Sequence, residues 1–345
     1  MSEGPTEAGE KTRAPAARGR VDVSIVIPTQ RRPGPLRVAA ASALRQSGVE
    51  GLSLELVIAD NDQVPSARPI ADRLGAEAPF PVIYVHEPKA GVANVRNAAL
   101  GAARGDLIAF LDDDEEAPEG WLAALLAAQA RFGADVVFGP VRARAPAEVV
   151  RHRAYLEHFF SRHGPAEAGL IADYHGCGDS LVRRAALPHP HRPFSAIRNR
   201  TGGEDDLLFG AMQAAGARFA WAPEAWVWED PAPERLNLGY TILRAFAYGH
   251  GPSAHCAAAS PPDWPGVARW MLIGIGQAAV YGLLALVQWM VRAPDRAFSL
   301  DRAARGLGKT LWWGPFRINF YGRAAPSTDR SAPVGAAAEP LRANM

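Results

Sequence analysis

The sequence predicts an α/β protein, with a mostly parallel sheet flanked by helices and a C-terminal apolar and amphipathic helical extension. Three observations carry that prediction. Apolar, β-branched runs alternate with Ala-rich helical stretches from Val21 to Phe132. Carboxylates begin where two of those runs stop, at Asp60-Asn61-Asp62 and at Asp112-Asp113-Asp114-Glu115. Far downstream, Trp270 to Val291 contains no charged residue.

The elements follow in order. Val21 to Thr29 runs apolar and β-branched and is read as a strand that Pro28 closes. The loop Arg31-Arg32-Pro33-Gly34-Pro35 leads into an Ala-rich helix from Leu36 to Gln46, and Leu54 to Ala59 is the second strand. Strand, helix, strand implies a right-handed parallel crossover, so both strands end on the same edge of the sheet. That edge is where open α/β sheets bind ligands. Ile70 to Ala76 reads as helix and Pro81 to Val85 as a third strand. Lys89 to Leu100 is a glycine loop entering a helix, a junction that turns backbone N–H groups, with Lys89 and Arg96, toward an anion at the sheet edge. An ordinary solvated helix face has the same composition; position singles Arg96 out.

The fourth strand is the apolar run Leu107 to Leu111, and its acids would repel one another unless a cation joined them. Hard carboxylate oxygens suit Mg²⁺ or Mn²⁺. The competing reading is a solvated acidic turn ahead of the helix that Pro118 opens. Glu119 to Phe132 is that helix, Asp135 to Val141 a strand, Glu148 to Phe160 helical, and Ser161 to Asp173 a polar loop. His175 to Arg184 is a short strand leaving a glycine loop. Gly202-Gly203-Glu204-Asp205-Asp206 opens an amphipathic helix to Ala215, and Phe219 to Glu229 is an extended pair rich in Trp. A helix dipole favours acids in its first turn, but three adjacent ones exceed capping needs.

Composition narrows the function. The 345 residues carry 37 basic and 36 acidic side chains, a formal charge of +1, which gives no support for binding nucleic acid. The two cysteines, Cys177 and Cys256, lack ligand spacing, which fits a reducing compartment and argues against a disulfide scaffold or zinc site. Residues 1–20 are polar, without the apolar core of a signal peptide, and are read as a disordered leader.

Taken together, Val23 to Thr29, the Asp60 strand end, Gly91 to Asn97, Phe110 to Glu115 and Gly203-Glu204-Asp205 resemble the family 2 glycosyltransferases, inverting enzymes with the Rossmann-like GT-A fold that use nucleotide sugars. Pro233-Glu234-Arg235-Leu236 and Arg244 to Gly249 make the chain most similar to the ExoM-type enzymes of bacterial exopolysaccharide synthesis. The resemblance implies that Pro28, Thr29 and Asp60 hold the nucleoside, Asp60 through the base, and that Arg96 faces base and diphosphate. It matches Asp112-Asp113-Asp114 to the DxD motif: Asp112 and Asp113 on the donor, Asp114 with Asp112 on a Mn²⁺ or Mg²⁺ ion. The same resemblance makes Asp205 the base, with Glu204 supporting the acceptor and Asp206 a neighbouring substitute. Such chemistry needs both a cation at the departing diphosphate and a base for a weakly nucleophilic hydroxyl. Where many relatives have Asn this chain has Asp179, so its acceptor contacts are expected to differ. Without a Gln-x-x-Arg-Trp sequence, single addition is favoured over polymer synthesis. His250 and His255 are read as loop histidines, with closure over the diphosphate as the alternative.

The domain organisation expected is a nucleotide-sugar half over 21–145, an acceptor half over 146–255, a membrane-associated helical region over 256–323 and a disordered tail over 324–345. Trp270 to Val291 is just long enough to cross a bilayer. Arg292, Arg296, Arg302, Arg305 and Lys309 follow it while Arg269 alone lies close before it, so a single span would leave the basic side outside. The expectation is therefore monotopic or peripheral attachment at the cytoplasmic face. An apolar helix dips in and returns, followed by a basic interfacial helix with Leu300, Ala304, Leu307 and Leu311 on one face and Trp312, Trp313, Phe316 and Tyr321 near its end. A buried helix pair is the alternative. Attachment suits a lipid-linked saccharide acceptor. Two other functions compete: a nucleotidyltransferase, disfavoured because Arg31-Arg32-Pro33 replaces a Gly-rich phosphate loop, and a non-catalytic nucleotide-sugar-binding protein.

Overall fold

The computed structural model describes residues 20–199 and 203–318. Residues 1–19 of the expected leader, Gly202, Tyr321 and the tail 324–345 lie outside them. In chain order the elements are β1 (Val23–Thr29), α1 (Pro33–Leu44), β2 (Leu54–Asp60), α2 (Arg68–Glu77), β3 (Val82–His86), α3 (Val92–Ala102), β4 (Leu107–Phe110), β5 (Glu115–Glu116) and α4 (Trp121–Phe132). There follow β6 (Val136–Phe138), β7 (Val141–Ala143), α5 (Arg153–Phe160), β8 (Gly169–Ile171), β9 (Ser180–Arg183), α6 (Glu204–Ala214), β10 (Phe219–Trp221) and β11 (Val227–Glu229). Four helices complete the described chain: α7 (Leu238–Gly249), α8 (Gly251–Ala258), α9 (Trp264–Met290) and α10 (Arg296–Thr310).

Among the described residues, eight strands form one sheet in the order β3-β2-β1-β4-β9-β6-β10-β8. The first four are parallel, whereas β9 runs antiparallel between β4 and β6. Period-two alternation decides the faces: Val23, Ile25 and Ile27 pack with α1, α2 and α4, and Val26 packs with α3 and α6. A small sheet β5-β11-β7 lies beside the carboxyl end of β4.

Four expectations change. The strand expected over Asp135 to Val141 is two strands in different sheets, because a Cβ at Gly139 would fall 1.8 Å from the Ala225 carbonyl oxygen, a close passage only glycine allows. The loop Ser161 to Asp173 contains β8, paired antiparallel to β10, and the helix expected from Glu148 begins at Arg153. His250 and His255 belong to the α7–α8 helical run rather than a loop.

The extension is also corrected. α9 is one unbroken helix of 27 residues, about 40 Å at 1.5 Å per residue, with no internal return. α10 packs on α9 and α7, burying Ala297, Asp301, Ala304 and Gly308, while Leu307 is exposed. Backbone proximity explains the difference: a Cβ at Gly308 would lie 2.0 Å from the Phe246 carbonyl oxygen, so small residues, not leucines, mark the packed face. The outward face of α9, including Leu272, Ile275, Val280, Leu283 and Leu286, is exposed and apolar.

Candidate active site

The acids sit where β4 ends. Leu111 still donates to Val26 O (3.1 Å), and the chain then turns, with Glu115 N donating to Asp112 O and Asp112 N to Glu115 Oε2. Thr29, the last residue of β1, donates its hydroxyl to Asp113 Oδ2 (2.7 Å). Arg32 Nη1 bridges Asp113 Oδ1 (2.6 Å) and Asp114 Oδ2 (3.0 Å). Burial, with Asp114 alongside, pushes the Asp113 carboxyl up to about 6 despite Arg32.

Arg96 joins this cluster to the first turn of α6. Its buried guanidinium donates to Glu204 Oε1 and to Asp112 Oδ1 (3.4 Å) and lies over the Phe194 ring at 5.5 Å. Burial raises the Glu204 carboxyl, opposed by Arg96, and raises Asp112, opposed by Arg96 and reinforced by Asp114 and Asp205. The Nε of Arg96 is buried without a hydrogen-bond partner among the described residues.

Asp205 is half-buried and accepts from Cys177 N (3.2 Å) and Asp206 N (3.0 Å). The loop Gly176-Cys177-Gly178 therefore links the two acid groups: Asp205 stands against Gly176, and a Cβ at Gly178 would fall 2.5 Å from Asp112 Oδ2. Only glycine lets the backbone approach that carboxylate.

The remaining predicted residues lie as follows. Pro28 pairs with Ala59 and Thr29 with Asp60 across β1 and β2. Asp60 is fully buried, and its carboxylate accepts from Ala67 N (2.7 Å), Asp62 N (3.0 Å) and Tyr84 Oη (2.9 Å). Contact with a base would require exchanging those bonds. Lys89 is exposed and, among the described residues, makes no bond to the acid cluster; its carbonyl accepts from Asn61 and Asn94. Asp179 does not face an acceptor: it is buried, takes Trp121 Nε1–H (2.7 Å), and burial pushes it up to about 7.

Sequence reasoning missed three groups. Arg32 reaches the acids from a loop that had no strand-end signal. Arg162 clamps the glycine loop, donating to the carbonyls of Gly139 (2.8 Å), Gly176 (2.9 Å), Gly178 (2.7 Å) and Asp179 (3.0 Å). Glu229 pairs with Glu115 across β11 and β5, and burial, then Asp114 and Asp112, raise its carboxyl. Only tertiary pairing brings it there.

The cluster thus holds more negative charge than Arg32 and Arg96 neutralise, a donor set of hard oxygens that fits a small dication. Among the described residues no three His, Cys, Asp or Glu side chains are arranged as a ready ligand set. A Mg²⁺ or Mn²⁺ ion fits nonetheless, because such ions keep water and take substrate phosphates beside one or two carboxylates.

The model for glycosyl transferase family 2 matches residues 24–189. Succinoglycan biosynthesis protein ExoM of Rhizobium meliloti is 37% identical over 232 residues, covering 66% of this chain and 74% of that protein. The chain belongs to glycosyl transferase family 2. Within it this chain is of the ExoM type, an inverting glycosyltransferase acting on nucleotide-diphosphate-sugar donors, and its sheet is GT-A-like. The pre-mycofactocin glycosyltransferase of Mycobacterium tuberculosis is 30% identical to this glycosyltransferase over 284 residues, 76% of this chain and 55% of that one. Among solved structures, S. aureus TarS 1-349 in complex with UDP-GlcNAc is similar at a TM-score of 0.49 and 16% identity, covering 72% of this chain and 70% of that one. A likeness that distant adds nothing to the assignment.

Proposed function

We propose that this glycosyltransferase adds one sugar to a lipid-linked saccharide in exopolysaccharide or other cell-surface glycan synthesis, at the cytoplasmic face of a membrane. The observation that carries the reading is Arg96, which touches Asp112 on one side and Glu204, next to Asp205, on the other. That contact supports a reading in which a donor-side acid and a base-side acid serve one reaction.

In this reading residues 21–145 hold the donor and 146–255 the acceptor. Pro28 and Thr29 flank the nucleoside, with Asp60 shaping that pocket from behind; Arg96 and Lys89 offer charge to the diphosphate, and Asp112 and Asp113 line its path. Asp114 and Asp112 would hold Mn²⁺ or Mg²⁺, which supplies positive charge against the departing diphosphate. Asp205 takes the proton of the acceptor hydroxyl as its oxygen bonds to the anomeric carbon; the bond from that carbon to the diphosphate oxygen breaks and its electron pair leaves with the diphosphate. One displacement inverts the centre. Glu204, buried and held by Arg96, supports the acceptor side through its neighbour Asp205.

Membrane attachment is supported by α9, a helix of 27 residues whose large apolar side chains are mostly exposed. An apolar face that open to water is costly at about 25 cal/mol per Å² and favours contact with lipid.

The deciding experiment is Asp205→Asn. Turnover should fall at least a hundredfold while donor binding, followed by isothermal titration with Mn²⁺, persists. Normal turnover in that variant would remove Asp205 as base, and a protein that binds donor without turnover in either form would be a binding protein instead.

A further inference from the structure

Arg162 stands among the acids of the site yet, among the described residues, makes no hydrogen bond to any of them. Its side chain is 15% exposed, and its approach to the Asp179 carboxylate is 3.5 Å without hydrogen-bond geometry. Burial raises the carboxyls of Asp112, Glu115, Asp179 and Glu229, and the Arg162 charge opposes that rise at each. A guanidinium so surrounded ordinarily grips a carboxylate with two prongs. Here every nitrogen serves main chain instead: Nε donates to Gly139 O, Nη1 to Gly176 O, and Nη2 to Gly178 O and Asp179 O. Charge alone would not demand that arrangement.

The fork acts on peptide planes. Gly176 C=O and Cys177 N–H belong to one planar trans unit and point in opposite directions, so Nη1 on that oxygen (2.9 Å) turns the N–H toward Asp205 Oδ2 (3.2 Å). Asp206 N holds the other oxygen of Asp205 from within α6 (3.0 Å). The carboxylate is thus fixed by one local bond and one bond from the loop. On the far side of Cys177, Gly178 presses on Asp112, where a Cβ would fall 2.5 Å from Oδ2. Two glycines make this a loose segment by itself, and the fork restrains it on both sides of Cys177. Arg162 is anchored in turn: it exchanges backbone bonds with Val141 of β7 (2.9 and 3.2 Å), and Gly139 lies at the corner between β6 and β7. The position of Asp205 is therefore referred to the corner of the two sheets and not to α6 alone.

We propose that Arg162 is a positioning residue of the transfer reaction: by pinning the Gly176–Cys177 peptide it aims an N–H at Asp205 and fixes the spacing between that acid and Asp112 across the loop. This rests on the reading of Asp205 as base and names the group that places it. Lysine at this position keeps the charge but offers a single rotating ammonium to carbonyls spread over four residues. Loss of the fork frees the peptide and misplaces the base, and an error of about 1 Å at a reacting group lowers turnover about 10²-fold. Among the described residues Arg162 has no bond to Thr29, Asp113 or Asp114, so donor affinity is expected to hold.

The test reads the loop and the reaction separately, on the full chain. Cys177 is 1% exposed and the second cysteine, Cys256, is half-buried in α8, so in a Cys256→Ser background dithionitrobenzoate reports on the loop. Arg162→Lys and Arg162→Gln should each speed that reaction at least about tenfold under native conditions. Turnover is followed as nucleoside diphosphate released in water, with Mn²⁺, from whichever of UDP-glucose, UDP-N-acetylglucosamine and GDP-mannose is cleaved fastest. In both variants kcat should fall about 10²-fold while donor KM stays within about threefold. A lysine variant that keeps both thiol protection and turnover would make Arg162 a counter-ion only and overturn the proposal. A turnover loss with Cys177 still protected, or with donor KM raised more than about tenfold, would overturn it as well. The parent thiol should react at least about a hundredfold more slowly than in the urea-unfolded chain; equal rates would show an unclamped loop even if neither variant folds. Undiminished turnover in Asp205→Asn together with an exposed Cys177 in Arg162→Lys would strike the base assignment and leave the clamp.

Discussion

Asp179→Asn tests whether the buried core beneath the glycine loop is read correctly. Asp179 is inaccessible to solvent, with one oxygen on Trp121 Nε1 and the other 3.5 Å from Arg162 Nη2 without hydrogen-bond geometry. Burial dominates, Arg162 and Trp121 oppose it, and the carboxyl rises from 3.8 to about 7. Because the folded value is the higher one, the native protein keeps a proton that the unfolded chain has released between about pH 4 and 7. Stability at this residue is therefore lost as pH rises through that window and is flat above it. At 1.36 kcal/mol per pH unit the loss is at most about 4 kcal/mol, and about 2–4 kcal/mol is expected. Asparagine keeps an acceptor for Trp121, does not titrate, and suits the left-handed backbone at φ +48°. Denaturant midpoints at pH 4.5, 6 and 8, read by tryptophan fluorescence, should give Asp179→Asn a pH profile flatter than that of the parent by about 2–4 kcal/mol. Parallel profiles for the two proteins would mean that Asp179 titrates as an ordinary surface carboxyl, and the burial argument would fail.

Other outcomes follow from the same contacts. Asp114→Ala should abolish the gain in donor affinity that Mn²⁺ provides, measured by titration with and without EDTA; a retained gain would exclude Asp114 as a ligand. Arg96→Ala leaves the buried Glu204 and the partly exposed Asp112 without their cation and should cost about 3 kcal/mol in denaturant unfolding. Arg96→Lys, with the charge but not the two-pronged contact, should cost less; equal costs would mean that charge is not what Arg96 provides. The double change Leu272→Glu and Leu283→Glu places carboxylates on the outward face of α9 and should move the full chain from the carbonate-resistant membrane fraction to the soluble one. Unchanged partitioning would rule out lipid contact at that face.

How far the site could be read in advance differs residue by residue. Asp112, Asp113 and Asp114 follow an apolar run, and Glu204 and Asp205 follow a glycine turn, so local pattern and family resemblance single both groups out as candidates. Arg96 stood out by position after the Gly91 turn, but its bond to Glu204 crosses 108 residues and no local pattern carries it. Lys89 and Asp60 lie in the loop and at the strand end expected, and only the structure shows what their side chains meet. Lys89 stays exposed, and the carboxylate of Asp60 is used up by the backbone of its own loop and by Tyr84.

Period and punctuation in the chain by themselves determined the parallel half of the sheet, the edge at which its acids gather and the apolar extension, because hydrophobic alternation and turn residues act over a few neighbours. Tertiary structure decided the rest. It set β9 antiparallel between β4 and β6, brought Glu229 beside Asp114, turned Arg162 onto the glycine loop and packed α10 through small residues against α7 and α9. Those arrangements depend on close approach between segments far apart in sequence, where the shape of the backbone and the cost of leaving a buried charge unpaired outweigh any local preference.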